Sequence, residues 1–214
     1  MLGRFLLSLQ ADGLGPTISR LWTRLFGSED RYVFVQYLKP PATPVEFPIE
    51  TNGVVVRQLT ESDRADIRIR RHEPHDVDRL AAAVVATRQG QIVGAAWYTD
   101  SVTAEQPWYR AVQPHLILPA LFDANIFVVP GDKAAAWAIS KHATDRVAST
   151  GVRTTVALVG THNKRSILLL RLLGAKIVAR IWVRHWCGYT TTVVAPVTAD
   201  QNAAVTRKTA STEA

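Results

Sequence analysis

The chain has 214 residues, 47% hydrophobic and 20% charged, so it can bury a sizeable core in one domain with extensions. No apolar run approaches the roughly 18 residues that a membrane-spanning helix needs, and a single cysteine, Cys187, excludes an internal disulfide framework. The formal net charge of +7 favours anionic partners, including phosphates. A cytoplasmic protein is the simplest prediction, and the lack of zinc-finger or RNA-binding signatures disfavours nucleic acid.

Residues 1–30 are predicted to form two short helical pieces. In the second, over residues 17–26, apolar residues recur at helical spacing, while Arg20 and Arg24 lie off that stripe. The apolar members are Ile18, Leu21, Trp22, Leu25 and Phe26. Such a helix could dock on its own domain or make a peripheral contact with an anionic membrane surface, and both interpretations stay open.

The chain is predicted to divide at a proline-rich linker. Residues 31–38 form a strand before it, because β-branched and aromatic residues predominate there. Four prolines then stiffen the linker. We therefore expect an N-terminal extension with its linker (1–48), a main domain (53–195) and a disordered tail (196–214).

The main domain is predicted to be an α/β fold with a mixed sheet of about seven strands and flanking helices. Gln89-Gly90 indicates a hairpin turn and Gly174 the end of a helix. The predicted strands are 54–59, 82–87, 92–98, 125–129, 154–159, 176–183 and 189–194, and the longer helices are 132–149 and 163–173.

The first of two strand–helix junctions in this order suits an anionic ligand, because a strand that runs straight into a helix leaves unpaired N–H groups at the positive end of the helix dipole. Phosphate binds well at such an end. The first junction covers residues 128–138, Val-Val-Pro-Gly-Asp-Lys-Ala-Ala-Ala-Trp-Ala, and the second begins with Asn163 and ends at Ala175.

The first junction resembles the acyl-CoA signature of the GNAT (GCN5-related N-acetyltransferase) superfamily. There V-x-P-x-x precedes an R/Q-x-x-G-x-G/A loop that wraps the cofactor's pyrophosphate. Lys133 stands at the Arg/Gln position, Ala136 at the first glycine and Ala138 at the glycine-or-alanine, with Ala134 in the same loop. Lysine keeps the cation without the forked donors of arginine, and a methyl narrows the room over the backbone. The alternative is an ordinary alanine-rich helix.

The second junction is similar to the family's N-x-x-S/A-x-x-L-Y-x-K-x-G-F, through Asn163, Ser166 and Gly174. Residues 55–63 and 89–94 resemble the family's first strand and second hairpin, so the resemblance covers about residues 53–195. It implies that Asn163 and Ser166 lie beside the cofactor. The alternative role for Asn163 is helix capping alone.

In that family the fourth and fifth strands, here about 123–129 and 154–159, splay apart. The resemblance implies that the backbone of Phe127, Val128 and Val129 pairs with the pantetheine amides of acetyl-CoA or another acyl-CoA. An amine would attack the thioester directly, so the expected activity is N-acyl transfer, with acetyl transfer first.

Proton transfer is expected from residues outside the two junctions. The family's usual acid is a tyrosine at the position of Leu170, so Tyr189, His185, Cys187 or water must replace it, and we select Tyr189. Asp123 matches a position where some family members carry a carboxylate and is the candidate base. Its alternative role is that of a turn residue at the entry of the strand.

Two further histidine patterns could carry chemistry. His185 and Cys187 lie two apart on a strand, hence on one face, which would permit an activated thiol, although a structural cysteine is the alternative. In residues 72–75, His-Glu-Pro-His, Pro74 breaks the helix that would present both histidines to zinc. No metal site is predicted.

The expected acceptor is a small-molecule amine or a surface-polymer precursor, and homodimer formation stays open. Two alternatives to an enzyme are kept. One is a GNAT-fold protein that binds a cofactor without transferring acyl groups, motivated by the missing tyrosine, arginine and glycine. The other is a membrane- or polyanion-binding module that uses the basic charge and residues 17–26.

Overall fold

The computed structural model describes residues 27–43, 45–74, 80–100, 106, 108–186 and 189–198. Its strands are β1 (Ser28–Tyr37), β2 (Ile49–Thr51), β3 (Val54–Gln58), β4 (Leu80–Arg88), β5 (Gln91–Thr99), β6 (Ala120–Val128), β7 (Thr154–Gly160), β8 (Lys176–Trp186) and β9 (Tyr189–Pro196). Its helices are α1 (Ile67–His72), α2 (Tyr109–Val112), α3 (Lys133–Ser149) and α4 (Lys164–Leu172), with 3₁₀ turns at Glu61–Ala65 and Gln113–His115. The strands form one sheet in the order β2-β3-β4-β5-β6-β7-β1-β8-β9.

This mixed sheet with flanking helices confirms the predicted α/β class, and two predicted turns have the geometry that their sequence requires. Gln89 and Gly90 both have positive φ, 50° and 77°, as a two-residue hairpin turn of type I′ needs. Gly174 has φ 84° and donates its N–H to the carbonyl of Arg171, while Ala175 donates to Leu170, both at 2.9 Å. These two bonds close the end of α4.

β1 lies inside the sheet, antiparallel to both β7 and β8. Its consecutive residues Val33, Phe34 and Val35 are at most 1% exposed. A run that is buried on both faces needs helices or loops over each face and a strand on each side. The sequence predicts an extension ahead of the linker, whereas residues 28–37 share the core of the sheet, which has nine strands among the described residues instead of about seven.

Helices cover both faces of the sheet. Leu121 and Phe122, adjacent in β6, point to opposite faces: Leu121 packs with Ile139 of α3, and Phe122 packs with Val112 of α2. On the α3 side, α4 buries Ile167 against β1, β7 and β8. α1 lies on β4, β5 and β6 through a separate cluster. The two longer helices therefore follow β6 and β7 and cover neighbouring parts of the sheet.

β6 and β7 are parallel, and they pair over only three positions, residues 120–122 against 154–156. Beyond these positions β6 continues to Val128 and β7 to Gly160 without pairing to each other. Opposite β5, β6 carries one extra residue, Ala124, and such a bulge bends the strand that contains it. The predicted splay between these two strands is present, and we name the gap between residues 123–128 and 157–160 the splay cleft.

Some predictions concern residues outside the described ranges. They include the helix over 17–26, the thiol of Cys187, His75 and the tail from residue 199 onward, and they stay predictions. Among the described residues, no helix combines the length and the apolar character needed to cross a membrane.

Truncation of Phe34 tests whether β1 belongs to the core. Phe34→Ala removes a ring that is 1% exposed, so we expect a loss of about 3–5 kcal/mol in the free energy of unfolding. Tyr37→Ala, at a position that is 42% exposed on the same strand, should cost about 1 kcal/mol or less. Urea unfolding measures both, and equal small losses would show that β1 is peripheral.

Candidate functional site

The wide end of the splay cleft lies where two helices begin. β6 leads into α3 and β7 leads into α4, and parallel strands end at the same edge of a sheet. Crevices at the carboxyl ends of parallel strands are common ligand sites. The N-terminus of each helix adds a positive partial charge. The topology alone therefore makes this edge suitable for an anionic ligand.

Every second residue of β6 directs its backbone N–H and C=O groups toward the splay cleft. The N–H of Val129 donates to the carbonyl of Val93 on β5 at 2.8 Å. Because backbone groups alternate in direction along an antiparallel strand, Val128 and Ile126 point away from β5 toward the cleft, and Phe127 points toward β5. Of the three residues singled out from the sequence, the structure brings the peptide groups of Val128 alone to the cleft.

Asp132 caps the first turn of α3. Its carboxylate accepts the N–H of Ala135 at 2.9 Å and a guanidinium N–H of Arg88 at 3.0 Å. Arg88 lies at the end of β4, so the ion pair joins the β4–β5 hairpin to the start of α3. A negative side chain therefore already lies against the positive end of the helix.

Other N–H groups at this helix start are also engaged. Lys133 donates to the carbonyl of Gly131 at 3.0 Å, and Ala136 donates to the carbonyl of Asp132 at 3.0 Å. With Ala135 bonded to the Asp132 carboxylate, three of the first four amides of α3 are satisfied by the chain, and that of Ala134 remains.

The side chains of this junction divide between solvent and core. Lys133 is exposed and Ala136 is half-buried, so both lie at the surface of the first turns. Ala138 is completely buried in the cluster between α3 and the sheet. Its small size therefore serves the packing of the helix, and the structure does not bring it to the cleft.

The start of α4 has a similar cap. Asn163 accepts the N–H of Ser166 through its side-chain oxygen at 3.2 Å. This bond is the capping role, and it uses the side-chain oxygen of Asn163 but not its amide nitrogen. Gly160, at the end of β7, is closely approached by His162, since an added Cβ would lie 2.7 Å from the imidazole ring.

Asp123 lies at the closed end of the splay cleft, one residue beyond the last β6–β7 pair. The residue is half-buried, but its Oδ1 is sealed from solvent and has no hydrogen-bond partner. Burial raises the pKa of this carboxyl to about 7. A carboxyl with this pKa exchanges a proton near neutral pH.

Tyr98 faces Asp123 across the β5–β6 ladder. The tyrosine is 3% exposed, and burial raises its pKa well above the usual value, with the nearby Asp123 charge adding to the rise. A hydrogen bond with Thr144 of α3 acts in the opposite direction. Tyr98 therefore keeps its proton at neutral pH.

Tyr189 is distant from this carboxyl. It is 78% exposed and pairs with Trp186 at the tip of the β8–β9 hairpin. β9 lies four strand positions from β6, roughly 19 Å at the usual spacing. The insertion of β1 between β7 and β8 accounts for one of these positions. The structure therefore does not bring the selected acid and base together.

The position of the missing tyrosine, Leu170, and the alternative acid His185 lie in other parts of the structure. Leu170 packs with Tyr32 and Val159 in the cluster under α4. His185 is on β8, where its Nδ1 lies 3.1 Å from the hydroxyl of Thr190. Neither position places a titratable group beside Asp123.

The described histidines do not form a metal site. His72 stacks on Phe127 with ring centroids 4.7 Å apart, and Asn125 donates to the carbonyl of His72 at 2.6 Å. These contacts fasten the end of α1 to β6. Within the part of the chain that the structure covers, no group of three or more His, Cys, Asp or Glu could hold a metal ion.

Solved structures similar to the chain include three that share 12–15% of its sequence. They are a Drosophila protein (15% identity, TM-score 0.47), a GCN5-related N-acetyltransferase from Sphaerobacter thermophilus (15%, 0.47) and a GNAT-family protein from Novosphingobium aromaticivorans (12%, 0.48). The matches cover 81%, 85% and 80% of this chain. The chain spans 56%, 56% and 66% of those proteins. No family model and no curated protein matches the sequence.

Three residues of the site region were not singled out from the sequence. Asp132 could have been found as an N-cap, since aspartate is favoured three residues before the amide that it accepts. Arg88 and Tyr98 could not, because Asp132 lies 44 residues from Arg88, and Asp123, 25 residues from Tyr98, comes to face it only through strand pairing.

The pKa of Asp123 predicts a pH dependence of stability. Because its folded-state pKa of about 7 exceeds the ordinary value of 3.8, the unfolded chain ionises first as pH rises. The contribution of Asp123 to the free energy of unfolding is therefore most favourable below pH 4. It falls as the pH rises to about 7, by roughly 4 kcal/mol in total. Asp123→Asn should lack this decline.

Urea unfolding of both chains at pH 5 and pH 8 measures the effect. The difference between wild type and Asp123→Asn should shift in favour of the variant at the higher pH. Taking this difference removes the contributions of carboxyls common to both chains. A difference that is the same at both values would contradict the buried, partnerless state of Asp123.

Proposed function

We propose that the protein is an acyl-CoA-dependent N-acyltransferase that binds the cofactor in the splay cleft and transfers an acyl group, acetyl first, to an amine. The observation that carries the proposal is the position of Asp123. A half-buried carboxyl with a pKa near 7 lies at the closed end of a gap whose wide end is bordered by two helix N-termini. A base at the closed end of the cleft and the positive ends of two helices at its wide end suit a reaction on a thioester that carries phosphate groups.

The edges of the cleft suit the amide-bearing arm of such a cofactor. Val128 and Ile126 on β6 direct peptide groups away from β5, and β7 from Ala157 to Gly160 has no partner on its β6 side. Unpaired strand edges bind extended amides through backbone hydrogen bonds. At this edge Val128 offers one backbone donor and one backbone acceptor.

Bound acyl-CoA would supply the activated carbonyl, and the chain's own residues would position the amine and take its proton. An amine acceptor is protonated at neutral pH, and Asp123 can accept a proton when it is ionised. Its Oδ1 has no protein partner that would compete for that proton. We propose a small-molecule amine or a surface-polymer precursor as the acceptor.

The residues at the start of α3 are less well arranged to bind phosphate than Asp123 is to accept a proton. Lys133 and Arg88 provide positive charge at the start of α3, and the Ala134 N–H is the amide that the chain leaves there. Asp132 opposes them, because its carboxylate caps Ala135 and neutralises Arg88. A diphosphate would bind better if Arg88 turned from Asp132 toward it.

The capped start of α3 and the leucine at position 170 favour a second candidate function. In this reading the protein binds a ligand in the splay cleft but transfers no acyl group. The two candidates differ in turnover, since both require binding and only the first requires a base.

Release of free thiol from acetyl-CoA with a panel of amines tests the first candidate. We expect turnover in the wild type that rises as pH passes through about 7, and a loss of roughly 100-fold or more in Asp123→Asn. Thermal-shift binding of CoA should be unchanged in that variant. Asp145→Asn, which changes a half-buried carboxylate of α3 that pairs with Lys141, is the matched control and should keep full activity.

Three outcomes separate the candidates. Binding with turnover that depends on Asp123 supports the transferase. Binding of acetyl-CoA without thiol release from any amine would favour the non-catalytic protein. Absence of a thermal shift with CoA, acetyl-CoA and long-chain acyl-CoA would remove both.

Asp132→Asn tests the phosphate end separately. Asparagine caps a helix as well as aspartate, so α3 should stay intact while one negative charge is removed and Arg88 is released. We expect CoA to bind about five- to tenfold more tightly, as expected for removing one nearby like charge. Calorimetric titration measures the change, with Asp145→Asn as the control. Weaker binding in Asp132→Asn would show that the phosphates do not approach this turn.

A further inference from the structure

Two hydroxyl groups in series join the strand that faces Asp123 to α3. The Oγ1 of Thr144 donates to the carbonyl of Ser140, one turn earlier in α3, at 2.6 Å. Thr144 is also the hydrogen-bond partner of Tyr98 on β5. A threonine hydroxyl has one proton, which Thr144 gives to Ser140, so its oxygen accepts the proton of Tyr98. Donation therefore runs from Tyr98 to Thr144 to the backbone of Ser140, and we name this series the hydroxyl chain.

The direction of the hydroxyl chain determines what Tyr98 can offer to Asp123. The two residues are opposite each other across the β5–β6 ladder, and the charge of Asp123 acts on the tyrosine. A phenol has one proton, and that of Tyr98 is given to Thr144. The hydroxyl that lies across the ladder therefore gives Asp123 no hydrogen bond, which agrees with the sealed Oδ1 that has no partner.

The described elements packed around Asp123 place no charged side chain against it. β7, across the splay cleft, has no titratable residue within Thr154–Gly160. On α3, Asp145 forms an ion pair within its own helix, and His142 lies 3.1 Å from the hydroxyl of Thr51 on β2. Burial is accordingly the cause of the raised pKa of the Asp123 carboxyl.

We propose that Thr144 and Tyr98 are positioning residues of the site: because they direct the phenol proton into α3, the Asp123 carboxylate takes its hydrogen bond from the bound amine instead. A carboxylate that accepted the phenol proton would be stabilised in its charged form and would be a weaker base. The acceptor amine is then the donor that the protein does not supply. The role of the carboxylate rests on the proposed function, whereas the direction of the hydroxyl chain does not.

Carboxyl ¹³C NMR of Asp123 over a pH titration separates this role from a purely structural one. Thr144→Val keeps the shape of the side chain but cannot accept the phenol proton, and a buried hydroxyl without a partner turns to the nearest remaining acceptor. We expect the pKa of Asp123 to fall by about one unit in Thr144→Val, because a hydrogen bond to the charged form favours it. Thr144→Ser keeps a hydroxyl and should match the wild type.

Tyr98→Phe is the matched control for loss of the same hydrogen bond. It removes the phenol, and the pKa of Asp123 should stay close to the wild-type value, because the carboxylate receives nothing from that hydroxyl. Tyr98→Phe/Thr144→Val should behave like Tyr98→Phe, since the fall requires the phenol proton. An unchanged pKa in Thr144→Val, or an equal fall in Tyr98→Phe, would overturn the proposal.

A measurement on the wild type does not depend on the folding of any variant. Tyr98 is 3% exposed, so its hydroxyl proton should exchange slowly enough to be seen by NMR. We expect a nuclear Overhauser effect from this proton to the methyl group of Thr144. An effect to the methylene protons of Asp123 and none to Thr144 would contradict the direction of the hydroxyl chain.

Thiol release from acetyl-CoA tests the link to the proposed function. The pH at half-maximal rate should fall in Thr144→Val together with the pKa of Asp123. If the pKa falls but this midpoint does not move, Asp123 is not the base, and the failure lies with the proposed function and not with the hydroxyl chain. The NMR titration decides the direction of the chain even when no amine is acetylated.

Discussion

The divergence of β6 and β7 is the constraint on which the rest of the structure depends. Two parallel strands that pair at three positions leave peptide groups beyond Phe122 and Val156 without a strand partner. Each strand is instead held from its outer side: β5 holds β6, and β1 holds β7 along the whole of Thr154–Gly160. The internal position of β1 therefore supports the cleft, since β7 would otherwise have no neighbour along its diverging end.

The cleft combines features that favour an acyl-CoA with one that opposes it. The two helix N-termini and the partnerless carboxyl of Asp123 favour a phosphate-bearing substrate and a proton transfer. Asp132 opposes the phosphates because it places a carboxylate where the helix would otherwise attract them. An aspartate cap stabilises the helix in the absence of ligand, so the same residue links the stability of α3 to the affinity of the cleft.

Local signals in the sequence predicted the elements well, and long-range pairing lay beyond them. The hairpin at Gln89-Gly90 and the helix end at Gly174 are both present. The splay between β6 and β7 was implied by the family resemblance and is also present. The position of β1 between β7 and β8 could not be predicted from its composition, because a buried strand has the same apolar composition at any interior position of a sheet. For the site, the sequence indicated Asp123 and both junctions, but the contacts of Asp132 and Tyr98 depend on distant strands.

Backbone NMR of the ¹⁵N-labelled chain titrated with CoA is the most direct test of ligand binding in the splay cleft. The account predicts chemical-shift changes for the amides of Ile126 and Val128 on β6, Leu158–Gly160 on β7 and Ala134 at the start of α3. The hairpin tip at Trp186 and Tyr189 should not change. Shifts confined to residues outside the cleft, or none at saturating CoA, would contradict the account.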